Sequence, residues 1–300
     1  MIEKRSCFLI LTGIILADKP AGFTSFDAVA KLRRVCGTKK IGHAGTLDPA
    51  ATGVLPIFTH TATRLIPLLP DHNKVYRTVI KLGVLTDTLD ARGLILREEK
   101  TAVTAEEFAA ALHLFFGKQV QTPPMFSAVK VNGQRLYSAA RRGEEIIAPP
   151  REIEIFDISL INADEENQSF TVSVSCSRGT YIRQLAADIA VRLGTVAHLT
   201  LLRRTMACGF TIEQCAPLLD IAADAEKYIL PPDEPVKAYP SVFVSPAQEK
   251  LFRNGGQLFL ERLRNFTPGA EFVRVYGGDR FIGMGAPDEE RGILKIKCVF

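Results

Sequence analysis

Residues 42–49 read GHAGTLDP, a single carboxylate in a glycine-bearing loop immediately ahead of a proline. Few bulky side chains occupy this stretch, so a large planar substrate can approach the backbone closely. Pro49 limits how far the chain around Asp48 can move. A fixed acid in an open loop suits catalysis. Asp before Pro also starts turns and caps helices, and the octapeptide alone does not separate these roles. The flanking segments bear on the choice.

Upstream, residues 25–35 have helical spacing at Phe26, Val29, Ala30 and Leu32, with Thr24 and Asp27 placed to cap the start. Still earlier, an apolar run from Cys7 to Ala17 follows Lys4 and Arg5 in the manner of a signal peptide. It is too short to span a bilayer, lacks a small-x-small cleavage site and leads straight into Asp18, Lys19 and Pro20. Residues 13–17 therefore read as a buried strand. Downstream, residues 104–116 form the clearest helix: Thr104 and Glu107 make a capping box, and Phe108, Ala111, Leu112, Phe115 and Phe116 share one face before Gly117. Residues 74–82, 152–160 and 170–176 alternate or run apolar as strands do, and a helix is expected from about Tyr181 to Leu193, ended by Gly194.

Strands mixed with helices, without a regular β-α-β rhythm, give an α+β fold with a mixed or antiparallel sheet and argue against a doubly wound one. Pro231, Pro232 and Pro235 look like a linker. Beyond them come short strands with tight turns, such as residues 272–276, Gly277-Gly278 and residues 280–284, so a small β domain closes the chain. The expected division is 1–232 and 235–300. No internal repeat is found.

A chain of 300 residues with 47% hydrophobic and 23% charged residues can bury a sizeable core. Net charge is only +4, so any polyanion-binding surface must come from local clusters: Lys31, Arg33, Arg34, Lys39 and Lys40 beside the acidic loop, Arg141 with Arg142, and Arg203 with Arg204. Each is also what a solvated face looks like; together, beside a loop open to a planar substrate, they point to nucleic acid. The six cysteines form no CxxC pair and no histidine stands at metal-ligand spacing, so neither zinc nor disulfides are expected. Gly37 and Gly42 have the outer spacing of a phosphate loop, but His43 and Ala44 stand where its Lys and Ser or Thr belong, and no GxGxxG follows a strand. ATP and NAD are unsupported.

Taken in order, the segments are DKPAGFTS at 18–25, GHAGTLDP at 42–49, KVY at 74–76 with Leu82-Gly83, RGTYIR at 178–183 and LRR at 202–204. This arrangement resembles the bacterial TruB family, tRNA pseudouridine synthases that act on the T-arm loop, densely over residues 13–210. Residues 86–88, 121–124 and 127–137 agree with its connecting blocks. Ala190 stands where a glycine is usual; Ala44 and Thr46 are permitted variants. The resemblance implies a pseudouridine synthase fold, a mixed, largely antiparallel sheet flanked by helices. It also implies that residues 235–300 form a small PUA-like β-barrel that binds RNA, though here the likeness is weaker and rests mainly on residues 273–285 and the final strand.

The activity implied is isomerisation of the T-loop uridine, position 55 of tRNA, to pseudouridine without cofactor or metal. The bond from ribose C1′ to uracil N1 breaks, the base turns, and C5 bonds to C1′. Asp48 matches the family's catalytic aspartate. It can attack the sugar, attack the base or remove a ribose proton, and the residues do not choose among these routes. Arg183 matches the arginine that holds the aspartate, where chance alone would suggest a helix-face ion pair. Tyr76 matches an aromatic stacked on the target base, although a strand tyrosine is commonly a packing residue. Tyr181 and Ile182 would shape the pocket. His43 corresponds to a histidine that packs into the RNA loop as the nucleotide turns outward. Lys19 and Pro20 would support the pocket floor, while Arg203 and Arg204 would contact phosphates or brace the Asp48 loop, next to Leu202.

The first expectation is a stand-alone cytoplasmic isomerase, monomeric, acting on the T-arm stem-loop of tRNA with no guide RNA and no membrane. A guide-dependent relative would carry a longer tail and extra protein-binding segments. A binding protein with vestigial catalytic residues would not keep Asp48, Tyr76 and Arg183 together. An unrelated hydrolase would leave the basic clusters and the Tyr76 segment unexplained.

Overall fold

A computed structural model describes residues 10–127, 129–131, 133–137, 142, 144 and 146–300. Eleven strands form one sheet whose main path runs Ala216–Pro217, Gly13–Lys19, Thr52–Thr59, Ala197–Ala207, Lys74–Leu82, Ser169–Cys176, Arg151–Asp164 and Gly117–Gln121. Neighbours on this path are antiparallel except Gly13–Lys19 with Ala216–Pro217 and Thr52–Thr59 with Ala197–Ala207. The expected mixed, largely antiparallel sheet is formed.

Two central strands went unread in the sequence, for physical reasons. Thr52–Thr59 is buried on both faces and so shows no alternation. It also contains Pro56, which a central strand normally excludes. Pro56 is tolerated because the strand changes neighbour around it: Thr52 and Gly53 pair with Ala197–Ala207, whereas Ile57, Phe58 and Thr59 pair with Ile41–His43. In Ala197–Ala207, register shifts near Leu201 and Met206 break the period of two.

Helices Ser25–Val35, Ala105–His113 and Ile182–Arg192 contribute to one core with Leu32, Ile57, Phe108, Phe170 and Ile189 fully or almost fully buried. Phe108 stacks on Phe170 with ring centroids 4.1 Å apart; such a buried ring contributes about 1.5–3 kcal/mol. Both expected capping boxes exist, Thr24 with Asp27 and Thr104 with Glu107. The second helix ends at His113 rather than 116, leaving Phe116 exposed, and Phe26 is exposed with the Arg33 guanidinium 5.1 Å from its ring centroid.

The C-terminal residues form a five-stranded sheet in the order Ser241–Val244, Val273–Gly277, Arg280–Asp288, Ile293–Val299 and Leu258–Phe259. Its two edges do not pair with each other. The sheet is therefore open, which corrects the expectation of a closed β-barrel; the Leu258–Phe259 edge is only two residues long, too short to close one. Helix Pro246–Arg253 buries Phe252 against this sheet. Between the two sheets lies a shared core in which Ile14, Phe58 and Leu65 meet Val236, Met284 and Cys298. The proline-bearing stretch joins the sheets while packed, with Pro235 and Val236 buried. No helix among the described residues is long and apolar enough to cross a membrane.

Candidate active site

Asp48 sits in the loop between Ile41–His43 and Thr52–Thr59. The loop is held from three sides. Ser25, at the start of its helix, accepts from the Leu47 N–H at 2.8 Å and donates to the Leu47 carbonyl at 3.2 Å. The Gly22 N–H donates to the Pro49 carbonyl at 2.8 Å. Arg204, fully buried, donates to the carbonyls of Gly45, Thr46 and Val54 at 3.0, 3.2 and 2.8 Å. Gly53 makes this possible: its φ is +105°, and a Cβ there would lie 2.1 Å from the Arg204 carbonyl oxygen.

Arg183 projects from the first turn of its helix and is 3% exposed. Its Nε donates to Asp48 Oδ2 at 2.9 Å, and Nη2 lies 2.8 Å from the same oxygen. Nη1 donates to the Thr88 carbonyl and Nη2 to the Phe126 carbonyl, each at 2.8 Å. A buried guanidinium with three acceptors is a fixed point from which the carboxylate is aimed. The helix-face reading of Arg183 is thereby set aside.

Asp48 and Arg183 line an open cleft of about 320 Å³ with Tyr76, Tyr181, Ile182 and Leu202, at the small end of ligand-sized sites. Tyr76 is 7% exposed, and burial pushes its phenol up from the ordinary value, so its hydroxyl holds its proton. Tyr181 is placed by Gln121, whose side-chain amide accepts from the Tyr181 N–H at 2.8 Å and donates to its carbonyl at 3.1 Å.

The other expected site residues lie off the cleft wall. Lys19, fully buried, donates to the carbonyls of Pro20 and Phe23 at 2.9 and 2.7 Å, holding the turn whose Gly22 bonds Pro49. Burial lowers its pKa to about 8, partly offset by the Asp48 charge. Lys19 and Pro20 thus support the loop from behind. Arg203 pairs with Asp18 at 2.7 Å and touches Thr52, while Arg204 reaches the loop. Adjacent strand residues face opposite ways, and it is Arg204 that braces Asp48's loop; fully buried, it is closed to phosphates. His43 ends its strand beside the loop, with Nδ1 buried and unpartnered among the described residues and its pKa lowered chiefly by burial.

His72, Lys74, Arg178 and Cys208 also line the cleft. From sequence, none of the four has a role in the site. His72 and Cys208 lie outside every motif, whereas Lys74, inside KVY, and Arg178, inside RGTYIR, carried a signal that could have found them. Arg141 falls outside the described residues. Among the described residues no group of three His, Cys, Asp or Glu side chains is placed to hold a metal, and five cysteines are free.

Residues 33–182 match the model of the TruB family pseudouridylate synthase N-terminal domain. The chain is 37% identical over 282 residues to tRNA pseudouridine synthase B of Clostridium tetani, an alignment covering 93% of this chain and 97% of that protein. It is 40% identical over 286 residues to tRNA pseudouridine synthase B of Clostridium perfringens, covering 93% and 96%. A chain in the structure of an H/ACA RNP bound to a substrate RNA containing 2′-deoxyuridine shares the fold, with TM-score 0.72 and 22% identity over 97% of this chain and 86% of that one. With half its length matched by the family model and relatives alike along nearly their whole length, the chain belongs to the TruB family of pseudouridylate synthases and is an isomerase of the intramolecular-transferase kind.

Proposed function

We propose that this protein isomerises the T-loop uridine of tRNA, position 55, to pseudouridine, with Asp48 as the catalytic carboxylate. The observation that carries the reading is the pairing of Asp48 with buried Arg183 in one cleft with Tyr76. The substrate follows from relatives at 37–40% identity whose names specify tRNA.

In the reaction the C1′–N1 bond breaks, the uracil turns in the cleft, C1′–C5 forms, and the C5 proton leaves as N1 gains one. Atoms balance without a cofactor. Arg183 positions the carboxylate, Tyr76 supports the base, and Tyr181, Ile182 and Leu202 wall the space in which it turns. Turning a nucleotide out of its stack costs a few kcal/mol, and in this reading His43, on the strand that leads into the Asp48 loop, fills the vacated space. Residues 235–300 act as an RNA-binding domain, and the protein works as a cytoplasmic monomer without guide RNA. The test is incubation of purified protein with unmodified T-arm transcript, with no guide RNA or nucleotide present, followed by mapping of pseudouridine. Conversion at the T-loop uridine is expected; intact uridine after prolonged incubation at excess enzyme would reject the reading.

A further inference from the structure

Besides Arg183, three basic side chains line one cleft with Asp48: His72, Lys74 and Arg178. The cleft's only carboxylate is already neutralised by Arg183. Arg178 is exposed and makes no hydrogen bond or ion pair among the described residues, and the same holds for the His72 ring. Among the described residues the Lys74 ammonium donates to the His72 carbonyl alone, and its stem packs at the Gly45 backbone, 3.4 Å from where a Cβ would stand. Lys74 and Arg178 both lower the His72 pKa by repulsion, beyond the effect of burial, while Asp71 works the other way. Burial and Arg204 weigh against the charge on Lys74. Like charges gathered at one cleft, with His72 and Lys74 partly buried and Asp71 the weakest of the influences on each, raise the free energy of the empty protein. Uracil is neutral and cannot offset that. An anion can.

We propose that His72, Lys74 and Arg178 form a phosphate clamp that takes one of the two phosphodiesters flanking the target uridine, and that His72 joins it in protonated form. This rests on the functional reading above. Arg178 offers a planar fork suited to two phosphate oxygens, Lys74 a compact charge from the strand that also carries Tyr76, and His72 a proton-dependent third donor. The clamp fixes the backbone in the same cleft as the Asp48–Arg183 pair, so the base meets Asp48 in one orientation. A bound phosphodiester stays ionised at every working pH, so any gain in affinity as pH falls belongs to the protein.

The experiment measures equilibrium binding and single-turnover conversion of T-arm transcript by wild type, Arg178→Ala, Arg178→Lys and His72→Ala, against salt and between pH 5.5 and 8.5. Arg178→Ala should bind about tenfold more weakly with a salt slope shallower by about 0.7–0.9; Arg178→Lys should recover the slope and part of the affinity, which a mere folding defect would not. His72→Ala should match wild type at pH 8.5 and lack the tightening that wild type shows at pH 5.5. A transcript with a methylphosphonate at one flanking linkage should reproduce the Arg178→Ala loss, and inorganic phosphate should compete poorly. Unchanged affinity and slope in the variants, on a transcript that wild type converts, overturns the clamp alone. Competition by millimolar inorganic phosphate with no effect of either methylphosphonate overturns it in favour of a free-anion site. No conversion by wild type removes the functional reading and the clamp together.

Discussion

Arg183 grips Asp48 through one oxygen only: Nε at 2.9 Å and Nη2 at 2.8 Å both meet Oδ2, and no hydrogen bond among the described residues reaches Oδ1. One oxygen is the anchor, and the other has no hydrogen-bond partner among the described residues. The guanidinium is itself fixed by the Thr88 and Phe126 carbonyls, so three chain segments distant in sequence agree on where the carboxylate points.

Asp48→Asn keeps the shape and a hydrogen-bonding oxygen for Arg183 but removes the charge. Product formation should fall below detection in single turnover while tRNA affinity stays within a few-fold of wild type. Turnover at the wild-type rate would take the catalytic role from Asp48.

Tyr76→Phe separates packing from proton chemistry. The buried ring remains, so thermal stability and binding should hardly change, whereas a part for the hydroxyl in transferring the C5 proton, beyond the stacking role, predicts conversion slowed on the order of 10²-fold. Single-turnover rates at saturating enzyme decide this, and an unchanged rate would limit Tyr76 to stacking.

Arg204→Lys should fail despite keeping the charge. Three carbonyls converge on the guanidinium fork, and an ammonium cannot reach all three from one position. Leaving buried acceptors unpaired costs roughly 1–3 kcal/mol, visible in urea unfolding, and the slackened Gly45–Thr46 backbone should lower the isomerisation rate with little effect on affinity.

Local signals in the sequence translated well. Capping boxes and the stop at Gly194, whose φ is +73°, depend on neighbours within a few residues, and all are present. What the sequence hid was decided at a distance. Whether Arg203 or Arg204 braces the loop depends on strand register, which the irregular pairing of Ala197–Ala207 obscures. His72 reaches the cleft because the Lys74 strand starts there, and no pattern in a loop announces this. Phe116 belongs to the apolar face only if the helix runs on, whereas it ends at His113 and Gly117, at φ +88°, opens an edge strand.

Lys19 should give the folded protein a measurable pH signature. Its folded pKa is about 8 against 10.5 for the unconstrained side chain. Between these values the unfolded chain holds a proton that the folded chain has lost, so unfolding takes up a proton and stability rises with pH across that window. Below pH 8 the side chain is charged in both states and contributes no slope. Lys19→Met should therefore flatten the rise in unfolding free energy between pH 8 and 10.5 relative to wild type; a parallel curve would show that the ammonium is not desolvated.

Deleting residues 235–300 tests how far the two sheets depend on each other. Val236, Met284 and Cys298 share a core with Ile14, Phe58 and Leu65, Arg64 donates to the Val299 carbonyl at 3.3 Å, and the Tyr276 hydroxyl donates to Asp233 at 2.6 Å. Each apolar side chain uncovered forfeits part of about 1.5–3 kcal/mol. A loss of several kcal/mol lowers the melting temperature of a protein this size by roughly 10 °C or more. The truncated protein should melt lower and self-associate through the bared face of the Gly13–Lys19 and Thr52–Thr59 strands, seen by calorimetry and size exclusion. If it instead remains monomeric with wild-type melting, the shared core contributes little and the C-terminal sheet is an independent module.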